Sequence, residues 1–286
     1  MRIFSDIPRN PRYMIMLEPL WALFGVAILY YAPLYMKETG LTDIEIGIVN
    51  TVSIFFSFVF HIIAGPVTNK LGRKKTMLVF DLLSWSVAMI IWAVAQNVWY
   101  FAAAAAINAC SRIVIVAYNC LLVEDTEESK RAKVFGLLNI VNPVFGLLTP
   151  VFGAVISRYG TVPALRVLHV LGMISMTSLF IIRNFLVHET VAGKALMSRH
   201  SKMSALQNVK QYFATVKRAF RSKSTILLTL VYTITSFTLS MSFFQVIFLK
   251  QSLGFSEMDL SLIPVANALI SVGLGVLFVP GIKKLS

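Results

Sequence analysis

One passage of this sequence occurs twice. The run Lys37-Glu38-Thr39-Gly40-Leu41-Thr42-Asp43-Ile44-Glu45-Ile46 returns as Gln251-Ser252-Leu253-Gly254-Phe255-Ser256-Glu257-Met258-Asp259-Leu260. A single offset sets Gly40 over Gly254, Thr42 over Ser256, Asp43 over Glu257, Glu45 over Asp259 and Ile46 over Leu260. With no gap, the same offset carries Pro66 onto Pro280, Lys70 onto Lys284 and Leu71 onto Leu285. Each copy leads from an acidic turn through a long apolar segment into a basic turn, which marks a chain built from similar halves. The second copy ends at Ser286, opposite Gly72, which predicts one complete half followed by the start of another.

Composition puts these halves in a bilayer. The 286 residues are 57% hydrophobic and 14% charged, with a mean hydropathy of +0.76, too apolar for a soluble chain of this length. Eight apolar stretches reach the ~20 residues needed to span a membrane. They lie near 13–36, 45–68, 76–96, 98–123, 133–157, 162–186, 225–249 and 259–281. The first is too long for a cleaved signal, carries Glu18 early and lacks a small-residue cleavage site.

A net charge of +13 would suggest nucleic acid if the chain were soluble, but its placement points elsewhere. Arg2, Arg9 and Arg12 precede the first span, Lys70, Arg73, Lys74 and Lys75 follow the second, and Lys130, Arg131 and Lys133 follow the fourth. The loop after the sixth holds Lys194, Arg199, Lys202, Lys210, Lys217, Arg218, Arg221 and Lys223. The alternate loops hold only Lys37, Arg158, Arg166 and Lys250. By the positive-inside rule the N-terminus is cytoplasmic, and eight spans return Lys283 and Lys284 to the same side. The expected location is the plasma membrane, with lipid as a partner and nucleic acid excluded.

Only the loop at 187–224 is long. Met203, Leu206, Val209, Phe213, Val216 and Phe220 recur there at helical spacing among basic residues, which predicts an amphipathic helix on the cytoplasmic membrane surface. The expected organisation is a six-helix bundle over 1–186, a linker over 187–224 and two helices of a second bundle over 225–286. Cys110 and Cys120 fall about 15 Å apart on a helix, too far for a disulfide, and read as small apolar fillers.

The turn Gly65-Pro66-Val67-Thr68-Asn69-Lys70-Leu71-Gly72-Arg73-Lys74-Lys75 resembles the signature loop of the major facilitator superfamily, Gly-x-x-x-Asp-Arg/Lys-x-Gly-Arg-Arg/Lys. Gly65, Lys70, Gly72, Arg73 and Lys74 match, and Asn69 replaces the usual Asp. The glycines permit a tight turn and close helix approach. In the family this loop latches the two halves, and Asn69 keeps the hydrogen-bonding capacity of that latch without its charge. After the fourth span, Glu124, Asp125 and Arg131 resemble the acid and arginine residues that brace the family's cytoplasmic gate; the alternative is a solvated turn of mixed charge.

Span five carries Gly136, Gly146 and Thr149-Pro150-Val151-Phe152-Gly153-Ala154, similar to the Gly-Pro-x-x-Gly-Gly motif of the superfamily's antiporters. Gly136, Pro150 and Gly153 are in register, and Gly146 is one place off. Asn139, Asn142, Gly146, Pro150 and Gly153 share about 80° of the helical wheel. Ordinary close packing of small residues is the competing reading.

Polar residues inside spans are the candidate site. Arg112 falls near mid-membrane, where an arginine costs about 3 kcal/mol to insert. It shares about 40° of the wheel with Asn108 and Asn119. It matches the mid-span arginine of proton-coupled exporters in the superfamily, although Ile113-Val114-Ile115-Val116 lacks their Gln-Gly. Three roles are open to it: anion binding, a proton relay, or structure alone. Asn50, Ser57 and His61 form a second stripe of about 40°, facing either a central cavity or a neighbouring helix. Glu18, followed by Pro19, reads as a proton carrier or as half of an ion pair, and Asp81 sits at similar depth; Arg12 and Arg73 are cations near enough to pair with them.

No phosphate-binding glycine loop, metal-ligand constellation or nucleophile with a paired base is present in the sequence, so neither an enzyme nor a cofactor is expected. The resemblance implies an all-α integral membrane bundle with eight of an expected twelve transmembrane helices. It implies a secondary active transporter moving a small solute by alternating access, coupled to protons and leaning to efflux by antiport. Uptake of a small polar or anionic solute by symport is the alternative within transport. A non-transporting sensor or scaffold is the alternative from another class. Substrate and coupling candidates are Arg112, Asn108, Glu18, Asn50, His61, Asn139 and Asn142. Doubling the repeat implies a parent of roughly 400 residues or more, which makes weak activity the expectation for eight helices alone.

Overall fold

Long apolar runs in lipid must satisfy every backbone N–H and C=O within the segment, and the helix is the one local structure that does so. The computed structural model describes residues 4, 6–200 and 205–282, and among these it is all-helical, with no strand. The first span is α1 (Arg9–Leu17) and α2 (Pro19–Glu38), the second α3 (Asp43–Leu71). The third is α4 (Arg73–Asp81), a π-helical stretch at Leu82–Val87, and α5 (Ala88–Val94). The fourth comprises α6 (Val98–Asn108) and α7 (Ser111–Val123), the fifth α8 (Glu128–Gly146) and α9 (Thr149–Tyr159), the sixth α10 (Thr161–Leu186). Beyond them lie α11 (Val191–His200), α12 (Ala205–Ala219), α13 (Lys223–Met241), α14 (Gln245–Gln251) and α15 (Glu257–Ile282).

Among the described residues, six of these spans are long and apolar enough to cross a membrane. Helices α13 and α15 occupy the places of the seventh and eighth, so the count of eight holds approximately. Four stretches expected to be continuous are interrupted, the seventh by a 3-10 turn at Ser242–Phe244 between α13 and α14. Span one breaks at Glu18 because Pro19 has no N–H to continue the ladder; span five breaks at Leu147 and Leu148, just before Pro150; span four turns at Ala109 and Cys110. The long loop holds two helices rather than one. Met203 lies outside the described residues, as do Arg2, Lys202, Lys283, Lys284, Leu285 and Ser286.

The internal repeat is physical as well as textual. Gly40 and Gly254 both take a left-handed backbone, φ 103° and 72°. At the start of α3 the Glu45 amide donates to Thr42 Oγ1 (3.3 Å) and the Thr42 amide to Glu45 Oε2 (2.8 Å). At the start of α15, Ser256 and Asp259 reproduce this reciprocal cap at 3.2 and 3.0 Å. A flanking lysine also pairs with the matching acid in each copy, Lys37 with Asp43 and, one place out of register, Lys250 with Glu257.

Helix α10 lies along α2, α3 along α6 and α7, and α4 along α7. Helix α15 packs on α8 and α9. At the end of the bundle bearing the alternate loops, an aromatic knot closes the core: Tyr35 meets Phe101 edge-on at 5.4 Å, and Trp92 stacks on buried His169 at 5.7 Å.

Candidate substrate and coupling site

A cavity of about 500 Å³ opens among spans one, three, four, five and six. Its aromatic wall is Trp21, Trp85, Tyr118 and Phe180, with Trp21 and Trp85 edge-to-face at 5.2 Å. Its polar wall is Glu18, Asp81, Asn108, Ser111, Arg112, Asn119, Asn142 and Arg183. Each kink serves this wall: Glu18 sits at the break in span one, Arg112 just past the turn in span four, and Asp81 immediately before the π-helical stretch. Local π geometry frees a backbone carbonyl, and Ser84 O takes the Asn108 amide at 2.7 Å. Asn108 therefore satisfies the backbone of span three as well as lining the cavity.

Four spans bring a charged cluster together in the cavity wall. Asp81 on α4 and Arg183 on α10 form an ion pair whose side chains are 4% and 3% exposed. Glu18 accepts from Tyr118 Oη at 3.0 Å. The Arg183 guanidinium lies 5.9 Å from the Tyr118 ring centroid and 5.4 Å from that of Phe180. Arg73, offered by the sequence as a partner for Asp81, is instead held by Glu124, and the cation for Asp81 comes from span six. Arg183 escaped the sequence reading because it stands near the end of an apolar run, where basic residues satisfy topology. Its signal was an arginine one turn inside that end, on the face carrying Phe180.

The structure sorts the remaining candidates. Arg112 donates from Nε to Ser57 Oγ at 3.3 Å, joining span four to span two. His61 turns Nδ1 to its own helix at Ser57 O (3.0 Å) and does not line the cavity. Asn50 and Asn139 also stay outside it, whereas Asn142 and Asn119 reach its wall. A helical wheel groups side chains by face, but neighbours decide which face turns inward. That is why the stripe of Asn50, Ser57 and His61 contributes through Ser57 alone, and by way of Arg112.

At the end with the basic loops, the signature turn is tied to residues after span six. Arg73 grips Glu124 through Nη2 (2.8 Å) and Nε (3.1 Å) and donates from Nη1 to Asn69 Oδ1 (3.3 Å). Thr190 donates to the same Glu124. Burial pushes Glu124 up, but hydrogen bonds from Arg73 and Thr190 outweigh it and hold the carboxyl below its ordinary range. Glu189 accepts from the Lys74 amide at 3.0 Å, and the Val191 amide donates to Asp125 at 3.4 Å. Arg131 folds back on Thr126 O (3.1 Å) and Val123 O (3.2 Å), bracing the turn rather than bridging helices. Gly72 takes φ 85° under Met197 and Glu189, and Gly65 leaves room for the Tyr212 ring of α12. Glu189 and Thr190 were not anticipated, because nothing in the sequence marks a short polar turn as a tether for a loop far upstream. Lys70, in the last turn of α3, is exposed.

The antiporter-like stretch of span five faces α15. A Cβ on Gly153 would stand 2.6 Å from Ser261 Cβ, and one on Gly146 3.4 Å from Pro264 O, whereas one on Gly136 would meet nothing. Pro150 begins α9 after the break, where its missing N–H is not needed. Among the described residues, no three His, Cys, Asp or Glu side chains gather as a metal site.

The sequence matches the family model for the Major Facilitator Superfamily over residues 20–285. It is similar to the Multidrug resistance protein MdtG of Klebsiella pneumoniae (strain 342), 26% identical over 191 residues, covering 64% of this chain and 45% of that protein. The MdtG of Salmonella choleraesuis (strain SC-B67) is 26% identical over 216 residues, 71% of this chain and 52% of its own length. That of Escherichia coli O1:K1 / APEC is 25% identical over 190 residues, 64% and 46% respectively. The chain thus spans about half the length of the curated relatives it matches. A match across nearly the whole sequence, over an all-helical fold of membrane-length spans, leads to one conclusion: this chain is a multi-pass membrane protein and belongs to the Major Facilitator Superfamily.

Proposed function

We propose that the chain acts in secondary active transport of a small amphipathic solute, by alternating access around the cavity among spans one, three, four, five and six. The observation that carries this is the cavity wall itself, four aromatic rings facing Glu18, Asp81, Arg112 and Arg183. Aromatic rings accept flat apolar bodies, and ionisable groups in a water-poor setting are costly enough to mark a pathway for solute or ion. Kinship with proteins named for multidrug resistance favours efflux, with protons as the coupling ion and Glu18 as their carrier. Arg112 and Asn108 would contact solute, with Asn142 in the same wall. Residues 1–186 form the first bundle, 187–224 a cytoplasmic linker and 225–286 the beginning of the second bundle, with both termini cytoplasmic.

Uptake of an anionic solute is the second reading, because among the described residues Arg112 has no carboxylate partner and bonds the neutral Ser57 hydroxyl. Flux of a fluorescent amphipathic cation in proteoliposomes under an imposed proton gradient tests both. Gradient-driven cation export that Glu18→Gln abolishes supports efflux. Gradient-driven uptake of an organic anion, lost in Arg112→Ala, supports the second. Absence of flux with either probe, from protein shown to be folded, overturns the transport reading.

A further inference from the structure

The Glu18, Asp81 and Arg183 cluster in the cavity wall has an unequal charge count. Two carboxylates, Glu18 and Asp81, face a single cation, Arg183, which acts electrostatically on both. Asp81 holds the ion pair and Glu18 holds only the Tyr118 hydroxyl. Arg183 Nε is buried and, among the described residues, has no hydrogen-bond partner, so one donor of the guanidinium is unspent. Other cations near the site make no ion pair with either carboxylate among the described residues: Arg112, at the start of α7, keeps its charge and bonds the neutral Ser57 hydroxyl of span two; Arg12, on α1, donates to Ile7 O at 2.9 Å; Arg73, on α4, belongs to Glu124. The π-helical stretch contributes Trp85, α2 contributes Trp21 and Leu29, and α8 contributes Asn142 to the cavity, all uncharged.

From this geometry we propose that Glu18, Asp81 and Arg183 form a one-proton site in which Arg183 is a cation shared between two carboxylates. Asp81 and Arg183 are buried and Glu18 is half-buried, so a net negative charge left among them is unfavourable, and the cluster takes up one proton and is neutral. Glu18, the carboxylate without the ion pair, carries that proton, and its other oxygen accepts from Tyr118. When solute or solvent draws the proton from Glu18 into the cavity, the free donor of Arg183 turns to the new anion. The guanidinium then divides between α4 and the break in span one, loosening the contact of α4 with α10. Arg183 is a positioning residue here, setting how many protons the carboxylates hold. The idea deepens the coupling reading above and rests on it for its role in transport.

Charge balance gives a count that a merely structural ion pair would not. The band of protonated carboxyl C=O groups, measured by infrared spectroscopy at neutral pH on the full chain in detergent, reads that count directly. The wild type should show one residue-equivalent from the cluster. Both Glu18→Gln and Asp81→Asn should abolish it, since each leaves one carboxylate facing one cation. Arg183→Gln should double it, and Arg183→Lys should leave it unchanged. If Arg183→Gln does not fold, the double variant Asp81→Asn/Arg183→Gln removes the pair with neutral isosteres and should restore the wild-type band that Asp81→Asn alone loses. A band surviving in Glu18→Gln, or absent from the double variant, overturns the proposal. Because this count needs no flux, the expected bands alongside inactive proteoliposomes would sink the transport reading and leave the proton site standing. Gradient-driven flux with bands that ignore Arg183 would do the reverse.

Discussion

Replacing Gly153 with alanine tests whether the small-residue face of span five exists for close helix packing. The added Cβ would lie 2.6 Å from Ser261 Cβ, 2.8 Å from Ser261 Oγ and 3.1 Å from Glu257 O. Carbon atoms rest at about 3.5–4.0 Å, so α9 and α15 must separate by roughly 1 Å. Overpacking of that kind costs about 1–3 kcal/mol. Ser261 is buried and its hydroxyl already bonds Met258 O, so it has little freedom to retreat. At about 2–4 °C per kcal/mol, the melting temperature of the detergent-solubilised protein should fall by several degrees. Ser261→Gly removes both of the nearest atoms, leaving only the 3.1 Å approach to the Glu257 carbonyl. The double variant should therefore recover most of the loss, giving a coupling energy of about 1–2 kcal/mol in a double-mutant cycle. Gly136→Ala, where a Cβ meets nothing, is the control and should be neutral or slightly stabilising. The packing argument fails if Gly153→Ala melts like the wild type, or if Ser261→Gly adds to the damage instead of relieving it.

Four further outcomes are expected. Arg73→Ala leaves Glu124 partly buried without its cation and should cost about 3–5 kcal/mol, measured by thermal or denaturant unfolding. Because the folded value for Glu124 is depressed below 4.5, its stabilisation is present above that pH and is lost as the pH falls through the lower folded value. Glu124→Gln should flatten the unfolding profile in this acid window, and an unchanged profile would count against the pair. Asn69→Asp would turn the 3.3 Å contact with Arg73 into a charge-assisted bond and should raise stability by about 0.5–1 kcal/mol; a lower melting temperature would show that Arg73 cannot serve two carboxylates. Lys250 pairs with both Glu38, at the end of α2, and Glu257, at the start of α15. Lys250→Ala should therefore speed hydrogen exchange at the amides of 257–262, and unchanged exchange would mean that the hydroxyls of Tyr30 and Tyr31 hold α2 to α15 without it.

The sequence by itself determined the elements and their order. Apolar runs of membrane length have no other way to satisfy their backbones in lipid, so hydropathy alone gave the spans. A repeat that preserves Gly40 and Gly254, with a hydroxyl three residues before a carboxylate in each copy, fixed the same left-handed turn and capping box twice. These are local interactions, closed within a few residues, and they can be read in one dimension. The signature turn was legible for the same reason, although the structure alone supplies the donor to Asn69, which is Arg73.

Tertiary structure decided which polar groups meet. Arg183 reaches Asp81 across 102 positions of the chain, and Thr190 reaches Glu124 across 66. Nothing in the local pattern announces either contact. Wheel angles grouped Asn50 with Ser57 and His61, and Asn139 with Asn142, but could not say which face α3 or α8 would turn inward. That choice belongs to neighbouring helices, whose side-chain volumes and small-residue clefts set the rotation of each helix about its own axis. Charge compensation in a dry interior is likewise a property of three-dimensional neighbourhoods, and so the cluster of Glu18, Asp81, Tyr118 and Arg183 became visible only once four separate spans were assembled around it.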